Sequence, residues 1–171
     1  MNNQASAGSV AGPDALRIGV ISDTHGHLDP AVFDHFAGVH HILHAGDIGY
    51  PSLIMDLEGI APVTAVLGNN DAGLDFRESE ILELGGRRFF LHHIVNPRSL
   101  GETLAMRLKR IAPDVVVFGH THQPFCETIG STLYFNPGYS GKPRFKLERS
   151  IAILTLDETG VTAEFIPLGA D

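Results

Sequence analysis

Short apolar runs alternate with polar, glycine-containing segments along most of the chain. Runs of about four to eight apolar residues that are bounded by turn residues are typical of buried strands. In the first half, Asp29 and Pro30 suit the N-cap and the first position of a helix. The order of strands and helices indicates parallel strands joined by right-handed crossovers. The predicted elements here are strands at 17–22, 41–44 and 62–66, and helices at 29–36 and 51–57.

The second half of the chain has a different order of elements, in which short turns connect pairs of consecutive strands. Gly85-Gly86 and Gly130-Ser131 each lie between two strand-like runs and predict hairpins. A longer helix is predicted to end before Pro113. The predicted elements are strands at 79–84, 88–92, 114–118, 126–129, 132–135, 150–156 and 161–167, and a helix at 99–111. The fold class that we predict is α/β, with two mixed β-sheets packed as a sandwich and flanked by helices.

A length of 171 residues suits one domain with its own core. The first fifteen residues are small and polar, so we predict a flexible tail over 1–15 and a single domain over 16–171. Their sequence does not resemble a secretory leader, and no apolar stretch reaches transmembrane length.

Cys126 is the one cysteine. It favours a cytoplasmic location, and its place in an apolar run predicts a buried thiol.

The charge of the chain limits its partners. Acidic residues outnumber basic ones by 20 to 12, for a formal net charge of −8, and no basic stripe occurs. Binding to duplex nucleic acid depends on neutralising phosphates, so we expect no such partner. A basic amphipathic helix for a membrane surface is also missing, and we expect no membrane partner. The sequence leaves the oligomeric state open, a homo-oligomer included.

Polar side chains follow five of the predicted strands. Because ligands bind at the carboxyl ends of strands in open α/β sheets, these residues are expected to meet. Carboxylate, amide and imidazole groups together suggest a metal site, and about seven ligands suggest two ions that share a bridge. The candidates are Asp23 and His25, then Asp47, then Asn69, then His92 or His93, and finally His120 and His122.

The motifs differ in specificity. Gly119-His120-Thr121-His122 is the strongest, because two imidazoles two residues apart beyond an apolar strand have few structural uses. Asp23 and His25 would share one face if the backbone stays extended, although Asp-Thr-His also forms ordinary turns. Asp47, between two glycines, can bridge two ions or occupy a solvated turn. Asn69 supplies a neutral oxygen or belongs to a plain loop.

Two adjacent histidines at the end of one strand cannot both be ligands. His92 and His93 point to opposite faces of the predicted strand, so only one of them can reach the site. A histidine at a strand end is also a common surface or core residue. His44 is the other histidine that we expect to contact the site, from behind the ligands.

The order of these motifs along the chain resembles that of the calcineurin-like metallophosphoesterase superfamily. The order is Asp-X-His, Gly-Asp, Gly-Asn, His and Gly-His-X-His. The chain is similar in length to members of the small prokaryotic phosphodiesterase branch of this superfamily. It also resembles them in the segment Asn136-Pro137-Gly138, which is followed by Pro143-Arg144. This branch shares its fold with the eukaryotic retromer subunit. The resemblance implies the four-layer fold of that superfamily. It also implies a first metal held by Asp23, His25 and His122, a second held by Asn69, His93 and His120, and Asp47 as the bridge.

The chain departs from the family pattern at three positions. Ile94 stands where glycine is usual, and Tyr139 where serine is typical. Asn70 occupies the position at which many members have a histidine that acts as general acid, and Asp71 follows it. We therefore consider Asn70, Asp71 and His27, besides Asp47, as candidate catalytic residues, with His27 as an alternative proton donor.

The resemblance implies a two-metal-dependent phosphodiesterase whose substrate is a small phosphoester and whose nucleophile is a hydroxide that bridges the ions. Mixed nitrogen and oxygen ligands suit Mn, which we favour, or Fe, Ni or Zn. The sequence leaves two alternatives open. One is a catalytically silent protein-interaction scaffold of the same fold, and the other is a phosphomonoesterase.

Overall fold

A computed structural model describes residues 15–144 and 146–169, so nearly all of the predicted tail over 1–15 lies outside the described residues. In this part of the chain, the apolar runs form strands and the amphipathic segments form helices. In chain order the elements are β1 (Leu16–Ile21), α1 (Ala31–His35), β2 (His41–His44), α2 (Pro51–Glu58), β3 (Val63–Ala65), β4 (Ser79–Leu84), β5 (Arg87–His92), α3 (Glu102–Ile111), β6 (Val115–Val117), β7 (Phe125–Ile129), β8 (Thr132–Asn136), β9 (Arg149–Asp157) and β10 (Gly160–Leu168).

The strands form two mixed five-stranded sheets. The first sheet has the order β10-β9-β1-β2-β3, with β1, β2 and β3 parallel and β9 and β10 antiparallel. The second has the order β4-β5-β6-β8-β7, with β5, β6 and β8 parallel and β4 and β7 antiparallel. The predicted α/β class with two mixed sheets is confirmed.

The main core lies between the sheets. Leu43 and Leu154 of the first sheet meet Phe89, Val117 and Phe135 of the second, and all five are fully buried. The outer face of the first sheet packs against α1 and α2, and the outer face of the second packs against α3. The molecule therefore has four layers. Strands buried on both faces explain why β1, β6 and β9 read as continuous apolar runs.

Two local predictions were wrong. The third helix begins at Glu102 rather than at residue 99, because the amides of Arg98 and Ser99 bond to Asn96 in a separate turn. Cys126 is exposed rather than buried. Cys126 lies on β7 and pairs with Phe135 of β8. In the described part of the chain, β7 is an edge strand and has no neighbour on its outer side.

The start of α1 is close to its prediction. The Asp29 carboxylate accepts a hydrogen bond of 2.9 Å from the Ala31 amide, as an N-capping group does, and pairs with the buried Arg149. None of the helices in the described part of the chain is long and apolar enough to cross a membrane.

Candidate metal centre

The polar residues predicted at strand ends converge at one end of the sandwich. They follow β1, β2 and β3 of the first sheet and β5 and β6 of the second, so both sheets contribute. Two groups of side chains have their nitrogen or oxygen atoms within 4.8 Å of one another: Asp23 with His25 and His122, and Asp23 with Asp47 and His93.

Asp23 is fully buried and belongs to both groups. Its Oδ2 accepts hydrogen bonds from the Ser22 hydroxyl, at 2.8 Å, and from the His120 amide, at 3.1 Å. Its Oδ1 has no hydrogen-bond partner among the described residues and lies 3.4 Å from His122 Nε2 and 3.8 Å from His93 Nε2. One oxygen is thus fixed by the protein, and the other faces the imidazoles.

Asp47 belongs to the second group and also approaches His25 of the first. Its Oδ2 is 3.7 Å from His25 Nε2 and 3.5 Å from His93 Nε2. The Asn70 amide donates to Oδ1 at 2.9 Å, and Asn70 Nδ2 donates to Oδ2 at 2.7 Å. Burial would raise the pKa of Asp47, but these hydrogen bonds and the neighbouring His93 and His25 lower it overall. The carboxylate is therefore ionised at neutral pH, and it faces one imidazole from each group.

The two histidines that end β5 point in opposite directions. His93 is buried, and its Nδ1 lies 2.7 Å from the carbonyl oxygen of Ala45. A carbonyl only accepts, so Nδ1 carries the proton and the Nε2 lone pair faces Asp23 and Asp47. His92 instead donates from Nδ1 to the carbonyl of Glu78, at 3.0 Å. Of the pair, only His93 reaches the cluster.

Asn69 and His120 lie together at the exposed side of the cluster. Asn69 Oδ1 is 3.0 Å from His120 Nδ1, and the His120 ring lies 5.4 Å from the His93 ring. His93 is also close to Asp23, so the two groups that we predicted overlap at this residue. All seven predicted metal ligands thus lie at one end of the sandwich, and five of them form the two groups of closely spaced donor atoms.

The backbone at these residues is left-handed. Asp23, His25, Asp47, His120 and His122 have φ between 47° and 69°. Among the described residues, only Ala112 and Lys146 also have positive φ without being glycine. This conformation costs a residue with a side chain about 1 kcal/mol or more, and its concentration at one place is typical of a functional site. The condition under which Asp23 and His25 would share one face, an extended backbone, is therefore not met.

Two glycines allow these side chains to approach the backbone. A Cβ at Gly68 would lie 2.1 Å from Asp47 Oδ1, and one at Gly119 would lie 2.1 Å from the Ser22 hydroxyl and 2.7 Å from Asp23 Oδ2. Any side chain at either position would displace a candidate ligand or its hydrogen-bond partner.

His44 supports the site from behind, as predicted. It is fully buried, and its Nδ1 accepts from the Gly46 amide at 3.2 Å. Its Nε2 therefore donates to the Thr24 hydroxyl, at 2.9 Å, which in turn donates to the Ile48 carbonyl. Burial lowers the pKa of His44 to about 4, so the ring is neutral at physiological pH.

The other candidate catalytic residues have structural contacts. Asp71 accepts hydrogen bonds from the amides of Ile48, Gly49 and Gly68, which joins the loops after β2 and β3. Asn70 holds Asp47 and is not a proton donor of the histidine type. Among the described residues, His27 makes no side-chain hydrogen bond, and its Nε2 is buried. These contacts favour positioning roles for Asn70 and Asp71, and the structure gives no contact between His27 and the cluster.

Asn136 has a role in the site that the sequence motifs did not assign. This buried residue ends β8, and its Nδ2 donates to the Gly119 carbonyl at 2.9 Å and to the Thr121 hydroxyl at 3.1 Å. It therefore fixes the loop that carries His120 and His122. The sequence signal that could have indicated this role is an asparagine at the end of a strand, directly before Pro-Gly.

The residues present suit a metal. Asp23 Oδ1 and His93 Nε2 are buried without hydrogen-bond partners among the described residues, and both face the cluster. Buried polar atoms are normally paired, so two such atoms facing one space indicate a ligand that supplies the partner. Neutral imidazole nitrogens with ionised carboxylates are the donors of divalent metal sites. The cluster therefore fits divalent metal binding.

A family comparison agrees with this chemistry. The model of the calcineurin-like phosphoesterase superfamily domain matches residues 16–159. The chain belongs to this superfamily. A probable metallophosphoesterase of Methanothermobacter thermautotrophicus is 38% identical over 163 residues, which cover 91% of this chain and 94% of the relative. A phosphodiesterase of Methanocaldococcus jannaschii is 30% identical over 143 residues, covering 72% of this chain and 83% of the relative.

Solved structures of the superfamily share the fold. An archaeal phosphodiesterase has a TM-score of 0.73 at 27% identity, covering 90% of this chain and all of that one. Vps29 of Entamoeba histolytica in complex with zinc has a TM-score of 0.67 at 24% identity, covering 89% of this chain and 99% of that one. This member of the calcineurin-like phosphoesterase superfamily thus shares its fold with an archaeal phosphodiesterase and with Vps29.

Proposed function

We propose that this chain is a two-metal-dependent hydrolase of phosphoesters that acts on phosphodiesters. The observation that carries the proposal is the convergence of Asp23, Asp47 and His93, with two buried atoms that lack partners among the described residues. Family membership and the identity with a phosphodiesterase support the reaction class.

The protein's own groups would prepare the site. Asn70 and Ser22 hold the carboxylates of Asp47 and Asp23, and Ala45 holds the ring of His93. Little rearrangement is then needed when the ligands bind metal. Two bound divalent ions, for which we favour Mn, would supply a hydroxide nucleophile and neutralise charge on the phosphate.

A diester is the preferred substrate in this proposal because the arginine near the cluster, Arg144, lies over the Tyr139 ring rather than against a candidate ligand. No arginine in the described part of the chain pairs with the clustered carboxylates. A dianionic monoester would gain most from such a cation, whereas a monoanionic diester needs it less. We further propose that the protein works in the reducing cytoplasm, since its one thiol, Cys126, is exposed.

Metal analysis and a substrate screen test this function. The purified protein is expected to bind about two divalent ions per chain and to hydrolyse bis(p-nitrophenyl) phosphate faster than p-nitrophenyl phosphate. Activity should disappear with a chelator and return with Mn²⁺. Metal binding without turnover of any ester would favour the scaffold alternative, and a faster reaction with the monoester would favour a phosphomonoesterase.

A further inference from the structure

We infer that the apolar pocket beside Ile94 binds an aromatic ester group of the substrate. This inference rests on the proposed function, because it assigns a place to one substituent of the phosphoester. We call this pocket the Ile94 subsite. Its apolar walls include Ile94, Pro97, Phe118, Pro124 and Phe125, and its polar lining is His120 with Asn96, Thr121 and Gln123.

The position of the pocket connects it to the cluster. Ile94 directly follows His93, and His120 forms part of the pocket wall. A second pocket, lined by Asn69 and His93, also borders Ile94. Each pocket has a volume of about 380 Å³. A phosphate held at the cluster could therefore direct one substituent into the Ile94 subsite.

The lining of the subsite suits a flat apolar group. The rings of Phe118 and Phe125 lie 5.8 Å apart at an angle of 57°, and prolines form further walls. Aromatic groups gain from packing against other rings beyond the burial of their area. A methyl group would leave most of the pocket filled with water, because the volume is several times what it occupies.

Ile94 itself is poorly placed for a purely structural role. Its side chain remains 47% exposed, although isoleucine is usually buried. Among the described residues, Ile81 on β4 is a close match, because it is 48% exposed and borders neither of these two pockets. Ile81 is therefore a control for the loss of an exposed isoleucine.

Inhibition by phosphonates tests the subsite without a leaving group. Phenylphosphonate is expected to inhibit diester hydrolysis by the metal-loaded enzyme about tenfold more strongly than methylphosphonate. The variant Ile94→Ala should lose severalfold of this preference and keep its affinity for methylphosphonate. Ile81→Ala should keep both. A preference that Ile94→Ala leaves unchanged would overturn the assignment, and equal inhibition by hexylphosphonate would overturn the aromatic class.

A spectroscopic measurement gives a readout that does not depend on turnover. In protein loaded with Zn²⁺ and labelled at isoleucine δ1 methyl groups, phenylphosphonate should shift the Ile94 methyl signal by its ring current. Methylphosphonate should shift it far less, and the Ile81 signal should not move with either. An Ile94 signal that responds equally to both phosphonates would overturn the assignment.

The two proposals fail in different ways. If the protein hydrolyses diesters but does not distinguish the two phosphonates, the subsite is wrong and the proposed function stands. If no diester is hydrolysed and neither phosphonate shifts the Ile94 methyl signal, the proposed function fails and the subsite fails with it.

Discussion

Asp47 is held by hydrogen bonds on both carboxylate oxygens, and both come from donors of Asn70. An asparagine at this position has only one acceptor oxygen and no charge. Asp47→Asn is therefore expected to bind both metals more weakly and to lose more activity than the roughly 10–100-fold typical of an outer hydrogen-bond partner. Metal content and kcat/KM measure this, with the exposed Asp56→Asn as control. Normal activity in a folded, metal-loaded Asp47→Asn protein would contradict the bridging role.

His92 and His93 allow a comparison between adjacent residues with opposite orientations. His93→Ala should reduce metal content, because it removes the nitrogen that faces Asp23 and Asp47. His92→Ala should leave metal content unchanged and lower stability slightly, because it removes a hydrogen bond to Glu78. Elemental analysis of both purified variants measures their metal content. Loss of metal from His92→Ala but not from His93→Ala would refute these orientations of the two side chains.

At the scale of residues, the kinds of side chain in the site could be predicted, and their backbone conformation could not. Asp and His at strand ends are visible in the sequence because the apolar runs mark where strands stop. The left-handed φ of Asp23 and His25 depends on contacts with residues far away in the chain, such as the bond from the Asp23 amide to the Gly46 carbonyl. The exposure of Cys126 depends on the strand order, which local sequence does not record.

At the scale of elements, the end of β8 positions the loop after β6. Asn136→Ala would remove two hydrogen bonds, one to the Thr121 hydroxyl and one to the Gly119 carbonyl, which would keep only the Thr121 amide as donor; the cost should be about 1–3 kcal/mol for the two bonds. Metal affinity should fall roughly 10–100-fold, because His120 and His122 lie on this loop. Asn136→Asp should lose metal similarly, since a carboxylate cannot donate to the carbonyl. Metal titration by calorimetry tests both, and unaltered affinity in Asn136→Asp would exclude this positioning role.

The loops after β1 and β2 are joined through neutral His44. Its pKa is about 4 in the fold against an ordinary value of 6.5, so the unfolded chain binds more protons between these values. Stability should therefore rise with pH across this window and be lost as pH falls from about 6.5 toward 4, by about 3 kcal/mol. Burial also lowers the pKa of His41, which acts in the same direction.

Urea denaturation at pH 7 and pH 5 measures this dependence. The variant His44→Gln has no titrating group at this position and should show a shallower fall in stability over the same interval. Equal slopes for the two proteins would mean that His44 does not control the acid sensitivity.

Element order and class could be predicted because β-rich periodicity and glycine turns are local properties. The start of α3 could not, because Asn96 diverts the preceding amides into a turn. Nor could the sequence show that β4 and β7 form opposite edges of one sheet, since that order follows from packing between distant segments.

At the scale of the whole molecule, each candidate metal group takes ligands from both sheets. Asp23 and Asp47 follow strands of the first sheet, and His93 and His122 follow strands of the second. Bound metal would therefore link the two layers at one end. With free metal at about 100 times Kd, it should add about 2.7 kcal/mol, or roughly 5–10 °C in Tm. Calorimetry with and without a chelator checks this, and a Tm that does not respond to metal would count against it.

The left-handed backbone of five candidate ligands has an evolutionary consequence. Glycine adopts such φ values without steric cost, so replacing His122 or His120 by glycine would relieve strain while it removes a ligand. Selection for turnover and selection for a durable fold thus oppose each other at these positions. A lineage freed from catalysis would be expected to shed these residues early, as gains in stability rather than as decay.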